Sequence, residues 1–144
     1  MNESHAKVLT KNDTGETGGH QSGITIPKKN IGLIKFFPEL DGNEFNPEAW
    51  IYCADPDGEV WKMRYIHYNG KTFSPKKSTR NEYRITYTTK FFSKWSAKAE
   101  DTVVFTATNR KNHYQISIRK HEADNKNEVR EPGLVVLRGW SRVY

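Results

Sequence analysis

The sequence predicts a mainly β fold: a barrel or sandwich of seven or eight short strands with one or two short helices. Three observations lead there. Runs rich in β-branched and aromatic residues recur along the chain, as in Thr102–Ala107 and Tyr114–Arg119. Turn signals separate them at close spacing, notably Asp55-Pro56-Asp57-Gly58 and Asn69-Gly70. Strands do not alternate with long helical periods, as βαβ units would require. The length, 144 residues, is that of one domain.

Taken in order, residues 1–6 read as a frayed polar start, with a short strand around Lys7–Thr10. Asn12–Gly23 (NDTGETGGHQSG) reads as an ordered but irregular loop, because glycine admits positive φ and close approach to a ligand. Gly23–Pro27 alternates as a strand that Pro27 ends. Ile31, Ile34 and Phe37 recur at helical spacing, and Pro38 stops that helix. Trp50–Ala54 and Glu59–Tyr68 are strands joined by the Asp55–Gly58 turn. Asn69-Gly70 signals a hairpin, with Thr72–Phe73 as a short paired segment. Arg84–Thr89 is a strand, and Phe91–Ala99 a helical turn or loop. Thr102–Ala107 and Tyr114–Arg119 are strands, Glu122–Pro132 a polar loop, and Leu134–Leu137 and Trp140–Tyr144 supply a last strand or two. No repeat or heptad is present.

Composition narrows the function. The net charge is +6, from 23 basic and 17 acidic residues. Its distribution says more than its size. Between Lys62 and Lys98 stand ten basic residues (Lys62, Arg64, Lys71, Lys76, Lys77, Arg80, Arg84, Lys90, Lys94, Lys98) against a single acid, Glu82. The acids gather in Glu39–Glu59 and Glu122–Glu131. One side is therefore expected to be strongly positive, as either a solvated basic face or a phosphate-binding surface. No run is long and apolar enough to span a membrane, and no secretory signal opens the chain. The single cysteine, Cys53, lies in an apolar run and reads as a buried, inert thiol in a reducing, cytoplasmic setting.

Catalytic patterns were sought first. A metal-dependent nuclease needs an acidic residue two places before a lysine on a strand, next to a further acid. After Pro56-Asp57, Glu59 precedes Lys62 by one place too many. Asp124-Asn125-Lys126 has the spacing but lies in a polar loop. The histidines (His5, His20, His67, His113, His121) make no metal pattern, and no phosphate loop or dinucleotide fingerprint is present. Neither catalysis nor any cofactor is expected.

Two segments carry recognition chemistry. Lys11–Gln21 holds Lys11, Asn12, Asp13, Thr14, Glu16, Thr17, His20 and Gln21. Lys76–Arg84 (KKSTRNEYR) holds Lys76, Lys77, Ser78, Thr79, Arg80, Asn81, Glu82, Tyr83 and Arg84. Arginine suits guanine O6 and N7, Asn or Gln suits adenine, and an acid accepts from the cytosine amino group. Lys76, Lys77, Ser78 and Thr79 suit phosphates. Glu82 within a basic run serves a base reader, directly or by orienting Arg80 or Arg84, better than it serves a non-specific phosphate binder. Arg80, Glu82 and Arg84 alternate, so on an extended segment they point the same way. The plainer reading is an exposed strand with an internal salt-bridge ladder. A barrel for RNA or single strands, with Phe91, Phe92 and Trp95 stacking on bases, is the competing function; core packing is the other use of those rings.

NDTGETGGHQSGITIP followed by KSTRNEYRIT resembles the N-terminal effector domain of EcoRII-type (type IIE, also UbaLAI-like) restriction endonucleases, over about Lys7 to Arg119. The resemblance implies an open pseudobarrel of about seven strands, similar to the plant B-three-type DNA-binding fold. It implies two arms gripping double-stranded DNA in the major groove. Lys11–Gly23 would be the first, with Asp13, Thr14, Thr17, His20 and Gln21 near bases and backbone. Lys77–Arg84 would be the second, with Arg80, Asn81, Glu82 and Arg84 reading bases. It further implies a short GC-rich target such as CC(A/T)GG, binding as a monomer, and a separate C-terminal nuclease domain in the parent enzyme. A free-standing, transcription-factor-like protein is the alternative. Where the family carries a lysine this chain has Tyr83, which can stack or meet a thymine methyl.

Overall fold

A computed structural model describes residues 2–16, 23–121 and 139–144. β1 (Ser4–Val8) leads to a single-turn α1 (Lys11–Thr14). β2 (Ile24–Ile26) and α2 (Ile31–Phe36) follow, then β3 (Glu48–Ala54), β4 (Val60–Tyr68) and a second single turn, α3 (Gly70–Phe73). The chain continues through β5 (Glu82–Thr86), α4 (Thr89–Lys94), β6 (Thr102–Ala107), β7 (His113–Arg119) and β8 (Trp140–Arg142).

The described strands form one eight-stranded sheet in the order β2-β5-β4-β3-β7-β6-β1-β8. All neighbours are antiparallel except β3 and β7. The sheet curls without closing its ladder. At the gap the Trp140 indole of β8 donates to the Thr25 carbonyl of β2 at 2.9 Å, so a side chain joins the two edges. The fold is thus the mainly β, open barrel expected.

The core lies inside the curl. Ile24, Leu33, Ile51, Met63, Tyr65, Ile85, Phe91, Val103, Phe105 and Ile116 are fully buried there. Each large apolar side chain contributes about 1.5–3 kcal/mol relative to an exposed position. Cys53 belongs to this core, and burial pushes its thiol up. Phe91 and Phe92 of α4 pack into it as well, so these rings serve packing.

Local chemistry explains most boundaries. Asn30 caps α2 by accepting from Leu33 N at 3.1 Å, and Pro38 follows the helix. In the β3–β4 turn Asp55 accepts from Asp57 N and Glu59 N, while Gly58 takes φ +85°. Two expectations are corrected. The start is not frayed: Ser4–Val8 pair with β6, and His5 is buried against Phe36 with Glu3 at its Nε2. Asn69-Gly70 does not make a two-residue hairpin, and Thr72–Phe73 is helical. The buried Asn69 amide is drawn to the preceding loop, accepting from Asn46 N (2.8 Å) and donating to Glu44 O (2.7 Å), so the chain turns into α3 instead. The reading of Leu134–Leu137 as a strand lies outside the described residues.

Candidate nucleic-acid interface

Both recognition segments emerge beside the β2–β5 pair. The first runs from α1 to the start of β2. The second connects β4 to β5, and β5 pairs β2 through Ile24↔Ile85, Thr25↔Arg84 and Ile26↔Tyr83. The ladder is antiparallel, so the segments leave from its opposite ends, roughly 10 Å apart at the rise of an extended strand. Arg84, the last residue of the second segment, stands opposite Thr25 of β2. A Cβ on Gly23, where the first segment returns, would fall 3.0 Å from Ile85 O and 3.6 Å from Arg84 Nη1. Glycine at 23 therefore lets the chain entering β2 lie close against β5.

The first segment is anchored by Asp13. Its carboxylate accepts from Thr10 N at 2.9 Å and pairs with the buried Lys7 ammonium, while Thr10 Oγ1 accepts from Asp13 N. That reciprocal capping arrangement makes an α1 turn out of a stretch expected to be irregular. Asp13 is thus buried and engaged within the protein, whereas Lys11 and Asn12 are exposed. Thr14 donates to Glu16 Oε1 (2.9 Å), which also accepts from Ala99 N (2.8 Å). The Ala99 N–H, then the Thr14 hydroxyl, hold the Glu16 carboxyl below its usual value. Thr17, His20 and Gln21 lie outside the described residues.

The second segment is built on α3. Ser78 N and Lys77 N donate to Ser74 O, and Lys71 N donates to Arg80 O at 2.9 Å. Ser78 packs so tightly against Gly70 that an added Cβ would lie 2.5 Å from Ser78 Oγ. Ser78 Oγ in turn accepts from Arg80 N at 3.1 Å. Ser78 is thereby a brace of the loop, while Lys76, Lys77 and Thr79 are exposed at its tip.

Beyond the tip, alternation sorts the side chains. Arg80, Glu82 and Arg84 share the outer face. Glu82 Oε1 accepts from Arg80 Nε (3.0 Å) and Nη2 (2.7 Å), and Glu82 Oε2 lies 3.4 Å from Arg84 Nε. Burial would raise the Glu82 carboxyl, but the Arg80 hydrogen bond and the Arg84 and Arg80 charges hold it below its usual value. One carboxylate thus serves two guanidiniums and leaves donors over, among them the Arg80 Nη1 protons. Guanidinium forks of this kind match paired acceptors such as guanine O6 and N7 or a phosphate.

Tyr83 points to the other face. Its ring stacks on His67 at 4.1 Å and 8°, and on Tyr65 at 5.9 Å. Asn81 is bound to the same group, with His67 Nε2 2.9 Å from Asn81 Oδ1. Sequence reasoning missed the β4 partners. Tyr68 lies under Arg80, whose Cζ stands 3.7 Å from the ring centroid. Arg64 Nη2 donates to Tyr68 Oη at 3.1 Å. Arg64 and Tyr68 share an outer strand face, and the available signal was that alternation once β4 was paired with β5.

Two of the carboxylates considered for a nuclease are occupied otherwise, and Asp124 lies outside the described residues. Asp57 and Glu59 lie 3.2 and 3.1 Å from Lys94 Nζ. Among the described residues no three His, Cys, Asp or Glu side chains are grouped to hold a metal ion, and no helix is long and apolar enough to cross a membrane.

Comparison with known proteins fits this architecture. The profile of the family described as restriction endonuclease EcoRII, N-terminal, matches residues 2–129. The type II restriction enzyme EcoRII of Escherichia coli is 40% identical over 86 residues, 57% of this chain and 20% of that protein. The chain therefore spans only a fifth of the length of that relative. The solved Arabidopsis FUS3–DNA complex contains a similar fold, with a TM-score of 0.58 and 22% identity over 80% of this chain and 94% of that one. On the extent of the family match, this chain belongs to the family of EcoRII N-terminal domains.

Proposed function

We propose that the chain reads a short sequence in double-stranded DNA, inserting its two segments as arms into the major groove. It serves as the non-catalytic effector or targeting domain of a bacterial, cytoplasmic restriction endonuclease whose nuclease lies in a separate C-terminal domain. One observation carries this reading: the row Arg80–Glu82–Arg84, which ends the second arm and has more donors than acceptors. Family membership and a related fold in a protein–DNA complex support the same reading.

In this function Arg80 and Arg84 read guanines, and Asn81 meets a neighbouring base edge. Glu82 aligns both arginines or accepts from a cytosine amino group. Lys11, Asn12, Thr14, Lys76, Lys77 and Thr79 bind backbone and flanking edges, joined by Thr17, His20 and Gln21. Asp13, Ser78 and Tyr83 support the arms from behind. The target is a GC-rich site such as CC(A/T)GG, bound by a monomer without a cofactor.

The test is a gel-shift titration at about 0.15 M salt. It compares a duplex bearing CC(A/T)GG, the same duplex scrambled, and the matching single strand. The reading expects a loss of about a hundredfold or more on scrambling. Equal binding to both duplexes would remove that target, and preference for the single strand would remove duplex reading altogether.

A further inference from the structure

We propose that Tyr68 is the positioning residue for Arg80, with Arg64 holding it from behind, and that it sets how sharply the domain discriminates between sequences. The proposal rests on the DNA-reading function above and names a residue outside both recognition segments.

Three contacts define the arrangement. The Arg80 guanidinium lies over Tyr68, with Cζ 3.7 Å from the ring centroid. Glu82, opposite Tyr68 in the β4–β5 register, takes the Nε and Nη2 edge of the same group. One face and one edge of Arg80 are thereby set, and the Nη1 side is left to meet a ligand. The Tyr68 ring is itself fixed. Its hydroxyl accepts from Arg64 Nη2 at 3.1 Å, and Arg64 is held by Thr86 Oγ1 (3.1 Å from Nε) and Glu48 (3.3 Å from Nη1).

The chain Glu48–Arg64–Tyr68–Arg80–Glu82 therefore runs across three adjacent strands on the outer face and ends at the proposed base reader. Tyr68 is not one of the core residues and packs no part of the barrel interior. A ring beneath a guanidinium attracts it through its negative π face. It also restricts the rotamers of a long side chain before DNA arrives, so less ordering is left for binding. Tyr68 touches neither base nor phosphate in this scheme. Its effect should therefore appear in the ratio of specific to scrambled binding, not in the salt dependence.

The experiment is a double-mutant cycle on the whole chain. The probe is the tightest duplex recovered by the unaltered protein from a random library, with a scrambled duplex as reference. Tyr68→Leu is expected to lower the specific-to-scrambled ratio about tenfold with the salt slope unchanged. Tyr68→Phe keeps the ring but loses the Arg64 hydrogen bond, and is expected to lower the ratio measurably but less than Tyr68→Leu; a Tyr68→Phe ratio equal to that of the unaltered protein would remove Arg64 from the arrangement. In an Arg80→Ala background, Tyr68→Leu should change the ratio no further. In the free protein the Arg80 side-chain Nε–H resonance should lose its ring-current shift in Tyr68→Leu and keep it in Tyr68→Phe. An unchanged ratio in Tyr68→Leu, or an effect that adds in full to Arg80→Ala, would overturn the proposal. So would a lowered thermal midpoint with the ratio intact. If the unaltered protein recovers no preferred duplex, DNA reading itself fails and the role with it. The ring-current shift separates the two failures, because it reports the stacking without DNA.

Discussion

Asp55 and Glu82 are both carboxylates at strand ends, and both face basic side chains, yet their surroundings are inverted. At Asp55 the acids outnumber the cation: Lys94 Nζ meets Asp55, Asp57 and Glu59 at 2.7, 3.2 and 3.1 Å. Asp55 also accepts from Trp61 Nε1, Trp95 Nε1 and two backbone N–H groups, and its side chain is fully buried. At Glu82 the cations outnumber the acid; Arg80 and Glu82 are partly open to solvent, while Arg84 is buried. The first arrangement is saturated and pins α4 to the β3–β4 turn. The second is unsaturated and faces outward. Charge count within a cluster thus separates a structural ion pair from a candidate binding surface better than the presence of ion pairs does.

The largest expected effect attacks the saturated cluster. Asp55→Ala leaves two indole N–H groups and the turn amides without their acceptor, and should cost about 3 kcal/mol of unfolding free energy. DNA specificity of the folded fraction should be unchanged, as read by chemical denaturation beside gel shift. Loss of specificity at full folding would erase the distinction between the clusters. Next, Arg80→Ala should cost about 1–3 kcal/mol of specific binding while moving stability by less than about 0.5 kcal/mol. A large stability loss there would make the arm a structural ladder.

Acid sharpens the contrast. Burial would raise Asp55, but Lys94, Trp61, Trp95 and the turn amides hold it well below the usual carboxylate range. A depressed folded pKa means that its stabilisation is present in full above the ordinary value of 3.8 and is lost as pH falls through the lower folded value. Denaturation midpoints should therefore fall on acidification below about 3.8, and Asp55→Asn should flatten that limb. Glu82→Gln should alter it far less, because Glu82 is the more exposed group. The smallest effect is expected at the arm tip. Lys76→Ala or Lys77→Ala should weaken all duplexes alike and reduce the salt slope by about one unit. A change in sequence preference would place those lysines at base edges instead.

Much of this was legible beforehand. Apolar and β-branched runs marked β3, β4, β6 and β7, alternation marked β2 and β5, and Asp-Pro-Asp-Gly marked the turn between β3 and β4, because these depend on neighbours close in sequence. The same alternation placed Arg80, Glu82 and Arg84 on one face. Reading 69–73 as a hairpin failed because Asn69 is claimed by Asn46 and Glu44, some two dozen residues earlier. Ser4–Ala6 escaped notice because a polar strand with a buried histidine carries no hydrophobic pattern; its partner is β6, about a hundred residues later.

By itself the sequence determined the class of fold, the basic second segment and the chemistry that Arg80, Glu82 and Arg84 can offer, since these follow from local periodicity and side-chain type. The tertiary structure alone decided that Asp13 is turned inward to Lys7, that Tyr83 stacks on His67, and that Arg80 rests on Tyr68. Each of those depends on register between strands or on packing across the chain. Register is set by the summed burial of whole strands, and no short stretch of residues encodes it.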